Sequence, residues 1–67
     1  MKEQLFNQVY TFRSKTGITQ QGLADAVGVT RQTIIAIEKG NYIPSVLLAL
    51  KIGNFFKKSV EEVFYEK

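Results

Sequence analysis

Apolar residues recur at spacings of three and four within short stretches of the chain, and each stretch closes on glycine, asparagine, serine or threonine. That period belongs to amphipathic helices; half-buried strands alternate apolar and polar residues instead. The first predicted helix runs from near Asn7 to Thr16, with Val9, Phe12 and Arg13 on one side and Gly17 placed to end it. Leu5 and Phe6 precede it, either as a docked arm or as an earlier helical turn. Thr19 suits the N-cap of a second helix, Gln20 to Val27, whose inner face carries Leu23, Ala24 and Val27. Gly28 can take the left-handed conformation that stops a helix cheaply, and Thr30 caps a third helix from Arg31 to Lys39, ended by Gly40.

Pro44 keeps the residue before it out of the helical region, so Asn41 to Pro44 reads as a loop. Ser45 caps a fourth helix from Val46 to about Phe56, and Lys57 and Lys58 turn the chain. Ser59-Val60-Glu61-Glu62 is a capping-box pattern that opens a short fifth helix through Val63 and Phe64. The pattern therefore predicts an all-α domain spanning residues 1–67. Phe12, Phe55, Phe56 and Phe64 are expected in its core and Tyr10 at its surface.

Composition narrows the chemistry. With 67 residues, 45% of them hydrophobic, the chain can build one small core and has too much apolar content for a disordered tail. It contains no cysteine and no histidine, which removes disulfides, thiolate or imidazole metal sites and the Ser-His and Cys-His nucleophile pairs. The expectation is a protein without catalysis, cofactor, metal or small-molecule substrate. The N-terminal Met-Lys-Glu-Gln has no apolar core of signal-peptide length, and Val46 to Leu50 is far shorter than the ~20 residues that span a bilayer. A cytoplasmic protein with no membrane partner is expected.

Charge is unevenly spread. The net charge is +3, but residues 1–58 hold eight basic and three acidic side chains, and residues 59–67 set Glu61, Glu62 and Glu66 against Lys67. A basic body with an acidic end suits a polyanion on one face and something else on the other. A charge of this size also serves simply to keep a small domain soluble.

Residues 19–40 are the informative unit: two short helices joined by a turn at Gly28, the punctuation of a helix-turn-helix whose second helix enters the DNA major groove. At ~100° per residue, Ile34 and Ile37 share one side of the third helix while Arg31, Gln32, Ile35 and Lys39 share the other, flanked by Ala36. Arginine matches the paired acceptors of guanine, glutamine those of adenine, and an apolar side chain can meet a thymine methyl. Any solvated helix face also carries such residues. The neighbouring helix starts at Gln20 and Arg31 add free N–H groups suited to phosphate oxygens.

On these residues the segment from Val9 to Phe64 resembles the lambda-repressor/Cro-like, or Xre-type, helix-turn-helix family. The matching elements are Arg13 before G-I-T-Q, then L-A-D-A-V-G-V-T-R-Q-T-I, I-E-K-G, P-S, A-L-K-I and S-V-E-E-V-F, in order. The resemblance implies a compact four- to five-helix DNA-binding domain. It further implies a sequence-specific regulator of transcription, expected to be a repressor that binds a near-palindromic operator as a homodimer. By position it implies base contacts from Arg31, Gln32, Thr33, Ile35 and Ala36, and phosphate contacts from Gln20, Thr30, Lys39, Asn41 and Tyr42. Arg13 and Glu38 match a structural ion pair.

Val60, Val63, Phe64 and Tyr65 in the terminal helix are candidates for a dimer contact, with packing on their own monomer as the alternative. Gly22, Ile35, Leu47 and Lys57 depart from the family pattern; Leu47 falls on the solvent side of the fourth helix, and Lys57 stands where glycine or asparagine is common. A second class of function keeps the fold but makes it a protein-interaction module, such as an antitoxin or a coactivator-like adaptor. Affinity for random duplex DNA at low salt discriminates the two.

Overall fold

The computed structural model describes residues 4–66. Met1 to Glu3 and Lys67, which enter the expectations for the N-terminal stretch, the domain span and the terminal charge balance, lie outside the described residues. The element order is β1 (Leu5–Asn7), α1 (Val9–Thr16), α2 (Gln20–Val27), α3 (Arg31–Lys39), α4 (Val46–Phe56), α5 (Val60–Val63) and β2 (Phe64–Glu66). The expected helical fold is present, with an addition at its ends.

Helix boundaries follow the caps. The side chains of Thr19, Thr30, Ser45 and Ser59 accept the backbone N–H groups of Gly22, Thr33, Leu48 and Glu62, and Ser59 and Glu62 complete a reciprocal capping box. Each cap satisfies a donor that the first helical turn leaves without a partner, an arrangement worth ~1 kcal/mol. Gly28 and Gly40 end α2 and α3 in the left-handed conformation, with φ of 78° and 80°.

Lys57 performs the same task after α4 at φ 59°, the positive-φ residue other than glycine among those described. Its amide reaches back to Asn54 and Gly53, and the next amide, on Lys58, donates to the Gly53 carbonyl at 2.9 Å. At this position, where glycine or asparagine is common in the family, a lysine is held in a backbone region that a Cβ disfavours.

The chain ends depart from the helical pattern. Leu5 and Phe6 are the docked arm and not an earlier helical turn. They form a strand that pairs antiparallel with Phe64–Glu66, in the register Leu5↔Glu66, Phe6↔Tyr65 and Asn7↔Phe64. Helix α1 accordingly starts at Val9 rather than Asn7, and α5 stops at Val63, with Phe64 passing into the strand. The Phe6 and Tyr65 rings stack across the pair with centroids 6.0 Å apart. The Gln8 amide donates to the Val63 carbonyl at 2.8 Å and extends the clasp.

The core collects one or more residues from every helix: Val9, Leu23, Ile34, Ile37, Ile52 and Val63 are the largest side chains that are fully enclosed. Leu23, Ala24 and Val27 of α2 and Ile34 and Ile37 of α3 belong to this single cluster, which fixes the angle between the two helices. Phe56 and Phe64 are buried as expected and Phe12 packs on the core edge. Phe55 is a correction: it is exposed, with its ring edge-on to Phe56 at 5.2 Å.

Candidate nucleic-acid interface

Thr30 gives α3 its starting point and its orientation. Its side-chain oxygen accepts from the Thr33 amide and lies 3.1 Å from the Thr33 hydroxyl. From there one side of α3 sinks into the core through Ile34 and Ile37. Arg31, Gln32 and Lys39 are exposed on the other side, with Thr33, Ile35 and Ala36 half-buried between the two. The side chains of Arg31, Gln32 and Lys39 take no hydrogen bond or ion pair from the described residues, so their donors are directed at solvent. The side chains of Asn41 and Tyr42 are likewise exposed in the loop after α3.

A polar network locks the last turn of α3. Arg13 Nε donates to Glu38 Oε2 at 2.7 Å and Arg13 Nη2 to Glu38 Oε1 at 3.3 Å. Arg13 Nη1 donates to the Ile18 carbonyl at 3.1 Å. Gln20 Nε2, on α2, donates to Glu38 Oε1 at 3.1 Å. One carboxylate thus ties together α1, the start of α2 and the end of α3. The hydrogen bond to Glu38 raises the Arg13 pKa, so the guanidinium stays charged throughout the accessible pH range. The Arg13 guanidinium carbon also sits 5.3 Å from the centre of the Tyr10 ring.

This arrangement refines the expectation for Gln20. Its amide nitrogen is already committed to Glu38, so at most its second N–H remains for a phosphate. Asn7 is a clamp that the sequence did not flag. Its Nδ2 donates to the Ile37 carbonyl at 2.9 Å, while its Oδ1 accepts from the Val9 amide at 3.1 Å. It therefore holds the C-terminal half of α3 to the start of α1. The signal available was an asparagine just before an apolar-periodic stretch, which marks a cap but not its distant partner.

Electrostatically the α3 face is cationic. Glu38 is neutralised by Arg13, and Asp25 accepts from Gln21 Nε2 at 2.8 Å on α2. The acidic residues Glu61, Glu62 and Glu66 sit on α5 and β2, away from this helix in the chain. The first N–H groups of the two helices add positive partial charge at separate places, those of α2 beside the last turn of α3 and those of α3 after the Gly28 turn. Such a face can donate to phosphate oxygens from its rim and to base edges from its middle.

The terminal residues expected at a dimer contact are placed differently. Val63 and Phe64 are buried in the protein's own core because α5 ends against α4 and β1, so they offer no surface to a second copy. Val60 is half-buried and packs on the core, and Tyr65 is half-buried against Phe6. No helix among the described residues is long and apolar enough to cross a membrane.

Two capped helices joined by a glycine turn, the second with a free cationic face, define a helix-turn-helix domain. Residues 9–63 match the sequence profile of a helix-turn-helix family. The chain belongs to that family. It is 52% identical over 59 residues to YgzD of Bacillus subtilis (strain 168), covering 88% of this chain and 89% of that one. It is 50% identical over 58 residues to MJ0272 of Methanocaldococcus jannaschii, covering 87% and 88%. Both bear the name of uncharacterised HTH-type transcriptional regulators rather than of enzymes.

Among solved structures, the clp gene regulator ClgR from Corynebacterium glutamicum aligns with a TM-score of 0.75 and 26% identity, over 81% of this chain and 57% of that one. The restriction-modification controller protein C.AhdI from Aeromonas hydrophila aligns with a TM-score of 0.76 and 24% identity, over 82% and 83%, a likeness of fold. The helical architecture expected from the lambda-repressor-like resemblance is thus the one shared with these regulators.

Proposed function

We propose that this protein is a sequence-specific double-stranded-DNA-binding regulator of transcription that inserts α3 into the major groove. The observation that carries this reading is the set of unpaired donors on Arg31, Gln32 and Lys39, presented by a helix that Arg13, Glu38, Gln20 and Asn7 hold rigidly from behind. A preorganised donor face loses little freedom on docking, which favours affinity. Arg31, Gln32, Thr33, Ile35 and Ala36 read base edges. Gln20, Thr30, Lys39, Asn41 and Tyr42 contact phosphates that set the depth and register of the helix.

One such module covers only ~600–1,000 Å² on DNA, thin for a tight operator complex. Two copies related by a two-fold axis, with their α3 helices about 34–36 Å apart, read a near-palindromic site and double the contacts. The protein acts as a repressor by occupying DNA that the transcription machinery needs. Names borne by its relatives agree with a role in transcription.

Selection of binding sites from a random duplex library tests the whole reading. An enriched inverted repeat, with half-sites spaced by one helical turn and affinity falling steeply with salt, is the expected result. A library that shows no enrichment, with no detectable binding at low salt, sinks the reading and favours the protein-interaction alternative.

A further inference from the structure

The acidic end of the chain takes no part in the cationic face of α3. Glu61 of α5 and Glu66 of β2 stand instead at the rim of a groove of about 550 Å³. Leu5, Ile43 and Tyr65 wall this groove and the buried Phe64 closes it below. Ile43 is 75% exposed, an aliphatic side chain left almost uncovered beside two carboxylates. No lysine or arginine among the described residues lines the groove.

The two carboxylates are also the uncommitted ones. Glu38 is held by Arg13 and Gln20, Asp25 by Gln21, and Glu62 by the Ser59 amide. The side chains of Glu61 and Glu66 take no hydrogen bond or ion pair from the described residues. An open strand edge lies beside them. The Gln8 amide donates to the Val63 carbonyl, which makes those residues a bonded pair of the antiparallel ladder. Bonded and unbonded pairs alternate, so the backbone N–H and C=O of Glu66, opposite Leu5, are turned away from β1. Such an edge is where an extended peptide can add to a sheet.

We infer that this groove is a second binding site, which takes an extended segment of another protein carrying lysine or arginine beside an aliphatic side chain. The aliphatic side chain fills the space between Leu5, Ile43 and Tyr65. The basic side chain lays its methylene stem along the same apolar wall and brings its head group to Glu61 and Glu66. Charge decides among the occupants. DNA and acidic partners are repelled by two free carboxylates, and a second copy docked groove to groove sets Glu61 and Glu66 against their own equivalents. A cationic segment neutralises both. Arg31, Gln32 and Lys39 do not line the groove, so the site stands whether or not α3 reads DNA.

Selection from a displayed library of random peptides, with the full chain as target, tests the site. The enriched peptides are expected to carry lysine or arginine next to leucine, isoleucine or valine. In NMR spectra of the isotope-labelled protein, a synthetic copy of an enriched peptide is expected to shift the amides of Ile43, Glu61, Tyr65 and Glu66 and to leave those of Arg31 and Gln32 in place. E61Q/E66Q changes two exposed side chains, so the fold is kept while the peptide binds about tenfold more weakly. Ile43→Asp, outside every helix, is expected to weaken it as well, a test that stands even if the double variant fails to fold.

A library that enriches nothing, or only peptides without basic residues, overturns the inference. So does a selected peptide whose shifts fall on α3 or on Val46, Leu47 and Leu50 of α4, or one that E61Q/E66Q binds as tightly as the parent. Shifts at the groove that grow with protein concentration in the absence of peptide put a second copy there and overturn it too.

Discussion

The Arg13 guanidinium and the Glu38 carboxylate meet at 2.7 Å across twenty-five residues of chain. Their side chains are 14% and 8% exposed, so each relies on the other to offset the loss of water. Glu38 is also held by Gln20, which makes the pair the point where α1, α2 and α3 are joined.

Glu38→Gln keeps the shape of the side chain and removes the charge that Arg13 faces. Breaking a fully buried pair costs ~3–5 kcal/mol, and the partial exposure of Arg13 puts this change at roughly 2–3 kcal/mol. Arg13→Met alone has a similar cost, and the double variant loses clearly less than the two single losses added together. Urea unfolding of the three variants measures the coupling, and strict additivity contradicts it.

Lys57 at φ 59° gives a prediction of opposite sign. Glycine has no Cβ to crowd the left-handed backbone, so Lys57→Gly relieves strain of ~1–2 kcal/mol. The greater freedom of glycine in the unfolded chain returns part of that, which leaves a net stabilisation of about 0.5–1 kcal/mol. Lys57→Ala keeps the Cβ and gains nothing. A higher denaturation midpoint for the glycine variant than for the alanine variant is the expected outcome.

The legibility of this fold has a physical boundary. Local rules placed Thr19, Thr30, Ser45 and Ser59 at helix starts and Gly28 and Gly40 at helix ends, because a cap is decided by atoms within a few residues. The interior face of α3 was equally readable from the spacing of Ile34 and Ile37. Residues 5–7 and 64–66 were not, because each half of that sheet is three residues long and too short to show an alternating pattern. Their pairing depends on the core bringing the two ends together. The same limit hid Asn7, whose partner lies thirty residues away. On the outer face of α4 only Leu47 was placed toward solvent, and Val46 and Leu50 were not, since apolar residues alone do not say which of them the core has room for.

The capping box at α5 predicts a response to acid. Glu62 is held below the usual carboxylate range first by the Ser59 backbone N–H, then by the Ser59 side chain, with Lys58 adding a smaller attraction. A depressed folded pKa contributes stability above the ordinary glutamate value of ~4.3, and that contribution disappears as the pH falls through the folded value. The α5 cap therefore holds at neutral pH and loosens as the pH falls below the ordinary glutamate value. In an NMR titration the Ser59 amide proton is expected to follow Glu62 with a midpoint below that of an ordinary glutamate. A midpoint at the ordinary value contradicts the capping geometry.

The division of labour on α3 is separable by mutation. Arg31 and Gln32 are exposed at the first turn and Lys39 at the last turn beside the loop, and under the proposed function the first two are assigned base edges and the third phosphate. Arg31→Ala combined with Gln32→Ala removes contacts worth ~1–3 kcal/mol of discrimination each, so preference for the selected site over a scrambled duplex collapses. Both positions are exposed and lie clear of the core, so helicity is unchanged. Lys39→Ala instead weakens the selected and scrambled duplexes alike and lowers the slope of log affinity against log salt by about one. The two variants compared on the two duplexes over a salt series give four curves. Retained selectivity in the Arg31/Gln32 variant, or a sequence-dependent loss in the Lys39 variant, reverses the assignment of bases and phosphates along the helix.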